Sequence, residues 1–113
     1  AHYKLDNLIA VVDVNNQQAD GPSTSVMAFE PLLDKLEAFG WFAQRIDGND
    51  LDAVRSAFDA AKAERNRPSL IIADTLMGKG VPFLEAREKN HFIRVEAHEW
   101  QLALAALDER KPS

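Results

Sequence analysis

Asp13, Asn15, Asn16, Gln17, Gln18 and Asp20 crowd oxygen-bearing side chains into one short segment that closes on Gly21. Hard oxygen donors of this kind suit Mg²⁺ or Ca²⁺. Asn and Gln are neutral, so a cation held by them also needs a carboxylate or a phosphate. By pattern alone the same residues read first as an Asn-rich turn capping a strand. A second segment, Met77-Gly78-Lys79-Gly80, places two glycines where backbone can approach a phosphate closely. It lacks the glycine spacing and the Lys-Ser/Thr pair of a P-loop and is not the dinucleotide fingerprint. Taken singly it reads as a flexible turn. His91, within Lys89-Asn90-His91-Phe92, has the chemistry to hydrogen-bond a phosphate or shuttle a proton, although a loop histidine is most often a surface residue. His98, in the first turn of an expected helix where its positive form is disfavoured, and the terminal His2 are read as surface residues. No serine sits in a nucleophile-elbow sequence, and there is no HExxH or His/Cys metal cluster.

The elements that must position these residues follow from the apolar pattern. Leu8-Ile9-Ala10-Val11-Val12 and Ser69-Leu70-Ile71-Ile72-Ala73 are short continuous apolar runs, as in strands buried on both faces of a parallel sheet. Trp41 to Ile46 is a further strand candidate. Pro31 suits the first turn of a helix that carries Leu32, Leu33, Leu36 and Phe39 at helical spacing and stops at Gly40. Asp47-Gly48-Asn49 predicts a turn, with Asn49 capping a helix whose apolar face is Leu51, Val54, Phe58 and Ala61. Arg67-Pro68 ends that helix. A last helix is expected over residues 97–107, with Trp100, Leu104 and Leu107 inward, followed by a polar tail. Strand and helix alternate, which implies βαβ units, right-handed crossovers and a parallel sheet. Residues 13–25 and 75–94 are expected as long loops leaving strands, where ligands bind in open α/β sheets. Residues 1–113 are read as a single domain.

Composition narrows the function. The 113 residues are 46% hydrophobic and 27% charged, an ordinary globular balance. A net charge of -5 argues against nucleic acid as partner. An acidic chain can still take an anionic cofactor through local donors or a metal. The absence of cysteine removes thiolate nucleophiles, zinc-thiolate sites and disulfides, and fits a cytoplasmic location. No apolar run approaches the ~18–20 residues of a membrane helix, so no membrane role is expected. The chain starts at Ala1 without Met and is read as a truncated or processed piece.

In order and separation, these segments together resemble the transketolase family over nearly the whole chain. LDNLIAVVDVNNQQADGPST resembles the second half of its thiamine diphosphate motif, with Asp13, Asn15, Asp20 and Gly21 matching. EPLLDKLEAFGWFAQRIDGNDLDAV is similar to its helix-strand-helix, including Glu30-Pro31, Ala38-Phe39-Gly40-Trp41 and Asp47-Gly48. PSLIIADTLMGKGVPFLE is similar to its strand and Gly-x-Gly loop, and His91 falls at its histidine spacing. The resemblance implies an α/β fold, a parallel sheet with flanking helices forming part of a thiamine-diphosphate-binding domain. It implies Asn15 as side-chain ligand of Mg²⁺ (or Ca²⁺), Gln17 as main-chain ligand, Gly78 and Gly80 closing over the cofactor, and His91 at the diphosphate and the substrate. The implied reaction moves a two-carbon ketol unit from a ketose phosphate to an aldose phosphate, as in the pentose phosphate pathway. Other thiamine diphosphate enzymes, of the deoxyxylulose phosphate synthase or 2-oxoacid dehydrogenase type, and a non-catalytic α/β scaffold are the alternatives.

Three departures from the family pattern bear on that reading. The Gly-Asp-Gly that opens the motif, and the second domain with its activating glutamate, are not in the chain, so these residues alone are expected to be inactive. Phe92-Ile93-Arg94 follows His91 where glycine is common, which leaves the substrate open, and Met77 stands where many relatives have Lys. The expected partners are a homodimer mate or a C-terminal transketolase subunit, since Lys111-Pro112-Ser113 falls near the end of the N-terminal half of split transketolases. An unprotected sheet edge and exposed apolar surface are expected to make the isolated piece self-associate.

Overall fold

The computed structural model of the protein describes residues 1–88, 90–92 and 94–109; Lys89, Ile93 and the expected tail from Arg110 to Ser113 lie outside the described residues. In chain order the elements are β1 (Ile9–Val14), β2 (Gln17–Gln18), β3 (Gly21–Pro22), α1 (Ser23–Val26), α2 (Leu32–Ala38), β4 (Phe42–Asp47), α3 (Leu51–Ala63), β5 (Ser69–Asp74), α4 (Pro82–Glu85) and α5 (Ala97–Asp108). They fall into two compact units. The first comprises Ala1–Asn15 and Ala28–Thr75, the second Asn16–Met27 and the described residues from Leu76 onward.

The first unit is a three-stranded parallel sheet in the order β1-β5-β4, the α/β arrangement implied by the alternating pattern. β5 is central because it alone is apolar enough to be covered on both faces: Leu70, Ile71, Ile72 and Ala73 are all buried. On one face, Val14, Leu70 and Ile72 pack with Ala10, Val12, Phe29, Leu32, Leu33, Leu36 and Trp41, which places α2 there. On the other face Gln44 Nε2 donates to Ala57 O at 3.1 Å and Ser69 Oγ donates to Ala61 O at 3.4 Å, which places α3 there. The crossover from β1 to β4 runs one way across the sheet and that from β4 to β5 runs back. Two crossovers of one hand then require helices on opposite faces, as observed.

The end of α2 fixes where β4 begins. Gly40 takes a left-handed φ of 84°, its N–H donates to Glu37 O at 2.8 Å, and Trp41 N–H donates to Leu36 O at 3.1 Å. This is a Schellman closure, with Trp41 and Leu36 in the same apolar cluster. Trp41 is thereby used up in the helix end, and the strand starts one residue later than the apolar pattern suggests.

Several expectations are corrected. β1 is covered on one face only: Val14 is buried, but Val11 is 53% exposed, because α3 packs over β4 and β5 and leaves that side of β1 open. Among the described residues β1 pairs with β5 alone. The cap of α3 is Asp50, whose carboxylate accepts from Asp52 N at 2.9 Å and Ala53 N at 3.3 Å. Asn49 instead donates its N–H to Asp47 Oδ1 at 2.8 Å in the preceding turn. Leu51, the first residue of α3, is 79% exposed, and the buried contacts of the helix are made by Ala57 and Ala61. Trp100, Leu104 and Leu107 do share a stripe on α5, yet all three are exposed, and Ala103 is the buried residue of that helix. The two expected loops carry structure of their own: a β2–β3 hairpin with α1 in the first, and α4 in the second.

Gly48 sits where β4 turns away over the end of β5. A Cβ there would stand 2.7 Å from Thr75 Cγ2 and 2.8 Å from Ala73 Cβ, neither of which can swing aside. Gly48→Ala is expected to lower stability by about 1–3 kcal/mol through overpacking. The urea unfolding midpoint checks it.

Candidate cofactor-binding site

The ladder of the first unit brings Val14, Asp74 and Asp47 level at the carboxyl edge of the sheet, since Val14 and Asp47 are both in register with Asp74. Thr75 ties this edge together. Its N–H donates to Val14 O at 3.1 Å, and its Oγ1 donates to Asp13 Oδ1 in a short hydrogen bond. Gly48 N–H donates to Asp74 O at 2.7 Å, joining the end of β4 to the same place. Asn15, half-buried, leaves β1 directly from this tie.

Charge at that edge is closely paired. The Arg45 guanidinium donates from Nε to Asp74 Oδ2 at 2.7 Å and from Nη2 to Asp74 Oδ1 at 2.8 Å, the bidentate geometry that makes such pairs strong. Its Nη1 donates to Glu30 Oε1 at 2.7 Å, and Glu30 Oε2 accepts from Leu32 N at 2.8 Å. The Leu32 N–H and then Arg45 hold the Glu30 carboxyl below its ordinary range. Arg45 does the same to Asp74, and the two carboxylates raise the pKa of Arg45 further.

In the second unit Asn16 accepts the left-handed region with φ 58°, which Asn tolerates, and the chain enters a hairpin pairing Gln17 with Pro22 and Gln18 with Gly21. Ser23 N–H closes it on Asn16 O at 3.0 Å. The hairpin presents Gln17 to the segment 87–91. His91 Nε2 lies 3.3 Å from Gln17 O; the carbonyl can only accept, so Nε2 carries the proton in this contact. Gln17 Nε2 donates to Arg87 O at 3.1 Å, and Gln17 Oε1 accepts from Asn90 N at 3.2 Å.

Gly78 and Gly80 both adopt left-handed φ values, 74° and 98°. A Cβ on Gly78 would stand 2.5 Å from Leu84 Cβ, so close packing on α4 already requires glycine there. Gly80 is buried, and its N–H donates to Glu85 Oε1 at 2.8 Å. Arg87 pairs with Glu99 of α5, whose carboxyl is held low by the Glu96 N–H and then by Arg87. Within this unit the structure therefore joins Gln17 to His91 directly and gives each glycine a packing or hydrogen-bonding role.

The donor chemistry fits a hard cation carried in by a phosphate. Among the described residues no three His, Cys, Asp or Glu side chains gather as a metal cage. Asn15 of the first unit and the Gln17 carbonyl of the second are each an uncharged oxygen donor, a type that leaves charge balance to a ligand's own phosphates. Sequence reasoning passed over the Gln17 side chain, Asn90 and Thr75. Their partners lie up to 73 residues away in the chain, beyond any local pattern.

A parallel sheet between helices, with long connections at the carboxyl ends of β1 and β5, is an open α/β fold of the kind that binds ligands at those ends. The chain belongs to the transketolase family: residues 1–108 match the model described as transketolase, thiamine diphosphate binding domain. It is 64% identical over 107 residues to a transketolase family protein of Sinorhizobium fredii, covering 94% of this chain and 38% of that protein. It is 40% identical over 106 residues to a 6-deoxy-6-sulfo-D-fructose transketolase subunit of a Clostridium species, again covering 94% of this chain and 38% of the relative. The fold matches transketolase from Campylobacter jejuni with a TM-score of 0.65 and 34% identity over 71% of this chain and 12% of that one. The chain thus spans 38% of the length of the two curated relatives.

Because Glu30 and Asp74 are depressed, their contribution to stability is complete above their ordinary values of 4.5 and 3.8 and is lost as pH falls through the lower folded values. Arg45→Met is expected to be less stable than the wild type at pH 7. The gap should narrow as pH falls below the ordinary values of 4.5 and 3.8 and close once the pH has passed the lower folded values, where both carboxyls are protonated. Urea melts between pH 2 and pH 7, on the order of five points, check the convergence.

Proposed function

We propose that the chain is a partial thiamine-diphosphate-binding domain of a transketolase that transfers a two-carbon ketol unit from a ketose phosphate to an aldose phosphate. The observation that carries this reading is the family match over residues 1–108 together with the meeting of Gln17 and His91 at 3.3 Å. Those are two of the residues that the family resemblance assigns to the cofactor.

In this reading the Asn15 side chain and the Gln17 main-chain carbonyl hold Mg²⁺, which neutralises the diphosphate and so lets an acidic domain accept it. His91 stands beside the metal-binding carbonyl, which accepts its Nε2–H; with that carbonyl given to the metal, the same N–H would turn to a diphosphate oxygen or to the substrate. Gly78 and Gly80 give the 76–81 loop the tight path that lets backbone come close to the cofactor. Thiamine diphosphate, when bound, supplies the electron sink for the carbon–carbon chemistry. The domain's own work is to bind, orient and exclude water.

The active protein is a dimer or hetero-oligomer acting in the cytoplasm, with a C-terminal transketolase subunit or domain completing the site. The Clostridium relative is named as a subunit, which supports division of the enzyme between chains. That relative is also named for a sulfonated ketose, which supports a ketose donor and leaves the group at the far end of the sugar open.

Calorimetric titration of thiamine diphosphate into the intact gene product with its partner subunit tests the reading. Saturable binding that needs Mg²⁺ is expected, and Asn15→Ala should weaken it on the order of 10- to 100-fold. A folded assembly that binds no cofactor would sink it in favour of a scaffold, and an Asn15→Ala variant that binds as well as the wild type would remove Asn15 from the metal site. A donor and acceptor profile separates ketol transfer from the other thiamine diphosphate reactions.

A further inference from the structure

Gln17 contacts Arg87, Asn90 and His91 in one short stretch of chain, and only its main-chain carbonyl has so far been given a role. The side-chain amide spans the 87–90 segment with both ends. Its nitrogen donates to Arg87 O at 3.1 Å and its oxygen accepts from Asn90 N at 3.2 Å. The partners settle which end is which, since a carbonyl can only accept and an N–H can only donate. The next residue after Asn90 is His91, whose Nε2 reaches back to Gln17 O at 3.3 Å.

The segment that Gln17 grips is also held from its other side. Asn90 Nδ2 donates to Leu84 O at 2.8 Å and lies 3.5 Å from Arg87 O. The Arg87 guanidinium stacks 5.5 Å from the Phe83 ring centroid and pairs with Glu99. The left-handed φ of 59° at Phe92 turns the chain sharply just after His91. A non-glycine residue in that region is costly and persists only where surrounding contacts enforce it. With Arg87 O and Asn90 N both fixed on one amide, the approach of the chain to His91 is fixed as well.

We infer that the side chain of Gln17 is the positioning residue for His91: its amide clamps Arg87 O and Asn90 N and so sets the imidazole against the Gln17 carbonyl. The inference rests on the proposed cofactor role of His91 for its functional consequence, but the clamp itself does not. An amide is suited to the task because one group must offer a donor and an acceptor about two atoms apart, which neither a carboxylate nor an ammonium can do. The main-chain carbonyl of Gln17 survives any substitution of the side chain, so the two roles of the residue can be separated.

Gln17→Leu, which keeps the bulk and loses the amide, and Gln17→Glu, which keeps the acceptor for Asn90 N, are compared in the intact protein with its partner. The first readout is hydrogen exchange at the Asn90 amide without cofactor. Exchange about tenfold faster in Gln17→Leu, with protection restored in Gln17→Glu, is expected for the loss and rescue of one hydrogen bond. The second is the affinity for thiamine diphosphate with Mg²⁺, measured for each variant with and without His91→Ala. Gln17→Leu should weaken binding by about tenfold when His91 is present and much less when it is absent, the non-additivity of residues acting through one another.

Unchanged exchange at Asn90 in Gln17→Leu, or an equal loss of affinity with and without His91, would overturn the inference. A wild-type protein that binds no thiamine diphosphate would bring down the proposed function instead, and the exchange measurement would then decide the clamp by itself.

Discussion

β5 is hydrogen-bonded on both edges and covered on both faces, and the remainder of the first unit is arranged around that fact. A strand in this position cannot shift register by one residue without moving Leu70 and Ile72 from one apolar layer to the other and breaking two ladders at once. Its end is therefore a fixed point. Asp74 and Thr75, the last residue of the strand and the one after it, reach out from that point. Asp74 binds Arg45 of β4, and Thr75 binds the end of β1. Asn15, which leaves β1, inherits its starting position from a buried apolar strand sixty residues further along the chain, since Val14 is in register with Asp74.

The second unit is organised by different means. It is built from short elements, a two-residue hairpin, a single turn at α4 and the longer α5, whose large apolar side chains are exposed. Among the described residues of 76–92 Val81 is the buried apolar side chain, and hydrogen bonds take over much of the work of setting the path. Gln17, Asn90 and Glu85 each satisfy main-chain groups that a loop would otherwise leave to water. Main-chain geometry determined by side chains in this way is a common basis for placing a functional loop precisely enough to bind a ligand.

The strands and helices of the first unit were largely legible because their signals are local. The run from Ser69 to Ala73 has no polar residue after its first, and it is the strand that is buried on both faces. Periodicity was less informative about what covers a face. Leu51 and Leu104 satisfy helical spacing, yet Leu51 opens its helix beyond the sheet and Leu104 has no packing layer over it among the described residues. Asn49 and Asp50 are adjacent and both are good caps, so only the local backbone could choose between them. The candidate site was legible in part. Asn15, Gln17, Gly78, Gly80 and His91 stand out by residue type, but their assignment to a cofactor comes from family resemblance, and no sequence pattern links Gln17 to an atom 73 residues away. Gly78 and Gly80 illustrate the opposite difficulty, since a glycine needed for packing and one needed for a ligand look the same in a sequence.

Within each unit, the candidate-site residues are tied by bonds of different electrical character. In the first, the tie between β4, β5 and the start of α2 is made of full charges on Arg45, Asp74 and Glu30, all partly open to solvent. In the second, the tie to His91 is made of neutral amides and carbonyls. Mobile ions attenuate the former and leave the latter nearly untouched, with a screening length of about 8 Å at physiological ionic strength. Concentrated electrolyte would therefore loosen the sheet edge and weaken the Arg87–Glu99 pair, while the Gln17 bonds to Arg87 O and Asn90 N would persist.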